Sequence, residues 1–360
     1  MKSRIIKCIA CIMSLILLCS CSDNTKVKKT EDITNIITQQ SVIIETQITS
    51  EEQYTDFFQY FTSSFLIPGL FEGIIPQGCC YDASGDRFLI SGYYEDSLFP
   101  SMIMVVNAAD NTFVGAYPLK NTLGEDYFGH AGGIAVSENT VYLTSDSVCY
   151  TFPVTLLDSV SNGEYIQFES KFRLNTKGSF ACIYNSILWV GDFIESDDEA
   201  RESASRITTL DSGETFYAYC EGYNLIDGLP STEKINSTSD GYIPDYFLAI
   251  PEQVQGMALT KTNKIIFSTS YGRKNNSVIY IFDDIFSETK VGTVTIDGQS
   301  IDLLACSNNK LNKQIIAPPM AEGLANHPDG IYLIFESGAA KYRNGGGKFP
   351  TENAYIITTE

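Results

Sequence analysis

Four residues in this 360-residue chain could move protons. Asp192, Glu322 and Glu336 supply carboxyls, and His130 supplies an imidazole that titrates near neutral pH. Two carboxyls held across a sugar can cleave a glycosidic bond, and their separation sets retention or inversion. A second, overlapping set could hold a ligand without reacting with it. Gln77 and Gln255 offer amides, Tyr271 a ring, and Arg273 and Lys341 cations, beside His130, Glu322 and Glu336. Each residue also has a plainer use. The glutamines could bond only to neighbouring backbone, the histidine could be structural, and the acids could pair with Arg273 or Lys341. The chain has two histidines, His130 and His327, which the strand register puts on opposite faces, so no metal site is expected. It contains no GxSxG, HExxH, phosphate loop or dinucleotide fingerprint, and no cofactor is expected.

These residues are far apart along the chain, and one recurring element would bring them together. At Pro251–Arg273 a polar residue and a glycine (Gln255, Gly256) open a short strand. A polar turn follows, then a second apolar strand (Ile265–Phe267). The pattern recurs with Gly78, Gly133, Phe180, Gly256 and Gly323 in equivalent places, at spacings of 55, 47, 76 and 67 residues. Two residues further on stand Cys80, Ala135, Cys182, Ala258 and Ala325, all small, as strands crowded round an axis require. The expected fold is all-β: a β-propeller of five blades of about four strands, with six blades as the alternative. In that topology the residues before each first strand and after each second strand share one mouth. Gln77, His130, Ser179, Gln255 and Glu322 would meet Tyr93, Asp146, Asp192, Tyr271, Arg273 and Glu336 there. Asp82, Asp86, Asn185, Asn263, His327 and Asp329 fall in turns of the other face. Val291–Ile296 is expected to continue the fourth blade outward, and Ser196–Ser203 to be a solvated loop. Phe57–Phe71 should supply an outer strand that pairs with a last strand at Ala354–Thr358.

The N-terminus is set apart from this fold. Lys2, Arg4 and Lys7 precede an apolar run, Ile9–Leu18, too short for a bilayer crossing of ~20 residues. Leu18-Cys19-Ser20-Cys21 then resembles the bacterial lipobox. That resemblance implies cleavage before Cys21 and its diacylation, hence a lipoprotein anchored to the membrane on the extracytoplasmic side. Residues 22–56, rich in Thr, Ser, Gln, Lys and Glu, read as a disordered tether, with the propeller domain over 57–360. The hairpins resemble secreted bacterial β-propellers in general. The net charge of -20 repels phosphate backbones, so nucleic acid is not an expected partner. Cys79, Cys80, Cys149, Cys182, Cys220 and Cys306 read as buried thiols, with disulfides as the alternative outside the cytoplasm. Three functions remain in view. The first is binding of a glycan, peptide or partner protein at the mouth. The second is a glycoside hydrolase or lactonase-like enzyme using the carboxylates. The third is a structural interaction platform.

Overall fold

The computed structural model describes residues 51–95 and 98–358. The targeting segment, Cys21 and the tether up to residue 50 lie outside the described residues. No described helix is long and apolar enough to cross a membrane. Residues 52–54 form a 3-10 turn and Thr55–Tyr60 a short helix, α1, so regular structure starts before Phe57. Strand β1 (Phe61–Leu66) follows.

Each recurring hairpin becomes the inner pair of a sheet. The first sheet runs through β2 (Ile74–Asp82), β3 (Arg87–Tyr94), β4 (Met102–Asn107) and β5 (Phe113–Lys120). The second starts with β6 (Gly133–Ser137), β7 (Thr140–Ser145) and β8 (Val148–Pro153). Strand β9 (Ile166–Gln167) then adds to β5, and β10 (Ser170–Arg173) to β8. The third uses β11 (Phe180–Tyr184) and β12 (Ile187–Gly191). After a ribbon of β13 (Thr208–Thr209) and β14 (Thr215–Phe216), it continues through β15 (Ala218–Ile226). Strand β16 (Leu229–Pro230) folds back on β15, while β17 (Ile235–Asn236) and β18 (Gly241–Tyr242) extend the second sheet. Strand β19 (Tyr246–Ile250) pairs with β15. The fourth sheet opens with β20 (Val254–Leu259), β21 (Ile265–Thr269) and β22 (Ser277–Phe282). Strands β23 (Gly292–Ile296) and β24 (Gln299–Ala305) come next in the chain, and β25 (Leu311–Ala317) completes the fourth sheet. The last sheet is β26 (Ala321–His327), β27 (Gly330–Phe335) and β28 (Asn353–Ile357), with β1 paired antiparallel to β28. The two ends of the folded region therefore share one sheet, as the Phe57–Phe71 and Ala354–Thr358 reading anticipated.

Two expectations fail. Val291–Ile296 does not extend the fourth sheet. Strand β23 pairs with β24, and β24 joins β19 in parallel, so both lie on the third sheet. That parallel pairing is a long-range contact with no local sequence signal. Ser196–Ser203 holds a short helix, α2 (Asp198–Glu202), instead of an irregular loop. Asp197 caps it by accepting from Ala200 N–H at 2.7 Å, and Arg201 forms a bidentate pair with Glu252.

The arrangement is propeller-like, and its axis is built on small residues. Cys80, Ala135, Cys182, Ala258 and Ala325 are all buried. A Cβ on Gly78 would meet Ile134 N at 2.8 Å, and one on Gly133 would meet Ala181 N at 2.5 Å. One on Gly256 would meet Leu324 N at 2.8 Å, and one on Gly323 would meet Cys79 N at 2.5 Å. Each inner strand thus lies backbone-to-backbone on its neighbour in chain order; β11 also abuts β20, and β26 abuts β2, which closes the circle. All six cysteines in the described residues are free and buried, and burial raises their thiol pKa values. Trp189 is in the core.

Candidate functional site

Three of the proposed site residues sit where inner strands are irregular. The β2–β3 register slips between Pro76 and Cys79, the β20–β21 register between Val254 and Gly256, and the β26–β27 register between Ala321 and Leu324. Gln77, Gln255 and Glu322 occupy these bulges. An extra residue in one strand breaks the ladder locally and re-aims the side chain there. Ala321 pairs with Phe335, so Glu336 emerges at the same end of the hairpin as Glu322.

The result is a polar cluster spanning three sheets. Gln77 Nε2 donates to Glu336 Oε2 at 2.9 Å, and Gln255 Nε2 donates to Glu322 Oε1 at 3.3 Å. The Tyr342 hydroxyl, from the short helix α3 (Ala340–Asn344), donates to Glu336 Oε2 at 3.1 Å. The Glu336 charge acts on Glu322, and two buried carboxyls that act on each other resist ionising together. Burial is the main cause and pushes the Glu336 pKa up to about 7. Bonds from Tyr342 and Gln77, and the nearby Lys341 charge, pull the other way. Glu322, 2% exposed, is raised well above the carboxylate range by burial and then by the Glu336 charge. The pair therefore holds a proton to higher pH than ordinary carboxyls do. Neither acid pairs with Arg273 or Lys341 as an ion pair among the described residues, so the simpler pairing weighed from sequence is not the one formed.

Aromatic rings and cations cover the cluster. Burial lifts the Tyr93 pKa to about 12. His130 lies on Tyr93 with ring centroids 4.8 Å apart. It keeps an exposed edge, yet protein crowds it enough for desolvation to lower its pKa, against the pull of the Asp146 charge. Lys341 Nζ is 5.8 Å from the Tyr93 centroid and 5.4 Å from that of Tyr342, and the Arg273 guanidinium is 5.1 Å from Tyr342.

Asp192 is engaged elsewhere: its Oδ1 accepts from Lys177 N–H at 2.6 Å and its own N–H donates to Tyr219 O. Burial raises its pKa. Tyr271 is exposed at the rim, 6.3 Å from the Phe193 ring, and its pKa is raised chiefly by Glu195. Asp146 is exposed and accepts from Ser145 Oγ. His327 lies against Tyr81 and Phe88 in the turns of the far face, apart from His130. Among the described residues no group of three or more His, Cys, Asp and Glu could hold a metal ion. Sequence reading places Tyr342, with Lys341 and Arg343, a little after the fifth hairpin and toward the mouth; that its hydroxyl bonds Glu336 from a five-residue helix is visible only in the packing.

No protein-family model matches this chain, and no curated protein matches it. Among solved structures it is similar to glutaminyl cyclase of Myxococcus xanthus, with a TM-score of 0.42 and 10% identity over 83% of this chain and 97% of that one. It is also similar to the PQQ-bound aldose sugar dehydrogenase of Streptomyces coelicolor, with a TM-score of 0.45 and 14% identity over 83% and 98% of the two chains. Neither superposition reaches 0.5, and no property of either protein is carried over.

Proposed function

We propose that this chain is an extracytoplasmic lipoprotein, anchored through diacylated Cys21, whose five-bladed β-propeller binds a ligand at one mouth of its axis. The blade number is inferred from five multi-stranded sheets whose first strands neighbour one another in chain order. The observation that carries the binding reading is the buried polar cluster drawn from three sheets, in which Gln77 and Tyr342 bond Glu336 and Gln255 bonds Glu322. Burying two carboxyls works against folding unless something is gained from them. Here they form a proton-bearing floor beneath Tyr93, Tyr342, His130 and Lys341, the mix of apolar walls and few directed polar groups that ligand sites use. A glycan, a peptide or a partner protein would each suit it.

Screening the chain against glycan and peptide panels tests this. Glu336→Gln keeps the shape but removes the titrating proton, and binding found for the wild type should weaken at least about tenfold. Binding that survives both Glu336→Gln and Tyr93→Ala unchanged places the ligand elsewhere; no binding at all favours the disc as an interaction platform. The anchor is tested by fractionation: Cys21→Ala should release the protein from membranes, and unchanged membrane partitioning rejects it.

An enzymatic reading retains one support: a carboxyl with a pKa of about 7 is matched to acid–base work at neutral pH.

A further inference from the structure

The described surface carries a cationic edge at odds with the chain's charge of -20. Arg273 and Lys274 lie just beyond β21, and Lys341 and Lys348 lie in and just beyond α3. Two bonds tie the segments together: Lys348 N–H donates to Arg273 O at 3.0 Å, and Arg273 Nη1 donates to Gly345 O at 3.2 Å. Gly345 leaves room for this contact, since a Cβ there would meet Arg273 Nη1 at 2.8 Å. Arg343 is neutralised by Glu352. Among the described residues, none of Arg273, Lys274, Lys341 and Lys348 has a carboxylate within ion-pair reach. An acidic protein with carboxylates to spare has thus left four cations unpaired at one place. That place adjoins the mouth, because Arg273 and Lys341 both lie over Tyr342.

Resting on the ligand-binding reading above, we infer that the ligand is an anionic glycan carrying carboxylates, of the hexuronate class. The guanidinium fork of Arg273 matches a carboxylate. Lys341 and Lys348 supply further point charges along a chain. The rings of half-buried Tyr93 and exposed Tyr271 offer flat faces to sugar rings. An acidic peptide would use the cations but not these faces, and a neutral glycan the reverse.

The experiment measures binding of the full chain, in detergent, to polygalacturonate, neutral dextran and poly-glutamate at low and high salt. The expected result is that polygalacturonate binds at least about tenfold tighter than either comparator and weakens as salt rises. The double substitution Arg273→Gln/Lys348→Gln should reduce its affinity about tenfold, while the charge-keeping Lys348→Arg alone retains it and Arg273→Lys, which loses the fork, gives an intermediate loss. Circular dichroism confirms that each variant is folded; should the first double variant unfold, exposed Lys274→Gln gives the same test with a smaller loss. Equal binding of dextran overturns the anionic class yet leaves a glycan-binding mouth. Equal binding of poly-glutamate overturns the glycan class. Failure to bind polygalacturonate overturns the inference, and the panel result with Glu336→Gln then decides separately whether the mouth binds anything.

Discussion

Glu336 and Glu322 are the residues on which the site's behaviour turns. Both have folded-state pKa values above the ordinary carboxylate range, so the folded protein holds more protons than the unfolded chain between about pH 4.5 and 7. Their contribution is fully present below the unfolded pKa and is lost as pH rises through the folded one. Thermal unfolding should therefore show stability falling from pH 5 toward pH 8, at up to about 1.4 kcal/mol per pH unit for one proton. Glu336→Gln, a permanent mimic of the protonated acid, should flatten this slope; an unchanged slope would mean that the pair does not titrate in this window. The positions of these acids were legible in the sequence, because Pro319-Met320 leads straight into Glu322 and the hairpin register places Glu336 beside it. Their partnership was not. Sequence shows charges of both signs near the mouth, and only packing decides that Lys341 lies over Tyr93 and Tyr342 while the two acids meet each other. Asp192, equally plausible by register, is held by Lys177 N–H, a loop backbone group that no side-chain pattern announces.

At the scale of elements, the inner hairpins were readable for one physical reason. Strands that touch backbone-to-backbone round an axis admit only glycine and small residues, and this restriction repeats visibly. Gly323→Ala tests it. A methyl there would meet Cys79 N at 2.5 Å and Gln77 O at 2.8 Å, backbone atoms that cannot turn aside. A loss on the order of 1–3 kcal/mol is expected from denaturant unfolding, and a neutral effect would contradict the close approach. The outer strands were less readable. Strands β23 and β24 follow β22 in the chain yet join β19 of the preceding sheet, because edge pairing is settled by long-range contact. The sheet that joins the two ends depends on α1 as well as β1. Phe57 is fully buried and lies 4.5 Å from the Phe61 ring, with Phe335 and Tyr355 beside it. Phe57→Ala should cost about 3–5 kcal/mol, read as a lowered urea midpoint. A cost below about 1 kcal/mol would show that the N-terminal segment does not secure the ring.

For the molecule as a whole, the six buried thiols report on how firmly the sheets close. They are free in the described structure, and burial holds them as thiols. Alkylation of the native protein should leave all six unmodified, and denaturation should expose all six; rapid native labelling would mean that the sheets open readily. Closure of the ring brings Gln77, Gln255, Glu322 and Glu336 into one buried cluster of a propeller-like disc, where the two acids are expected to hold a proton. Infrared titration tests that arrangement most directly, by following the stretching band of protonated carboxyl groups in the folded protein. A band persisting above pH 6, fading near pH 7 and changed by Glu336→Gln is the predicted result. Its absence at pH 6, with every carboxyl already ionised, would contradict the retained proton.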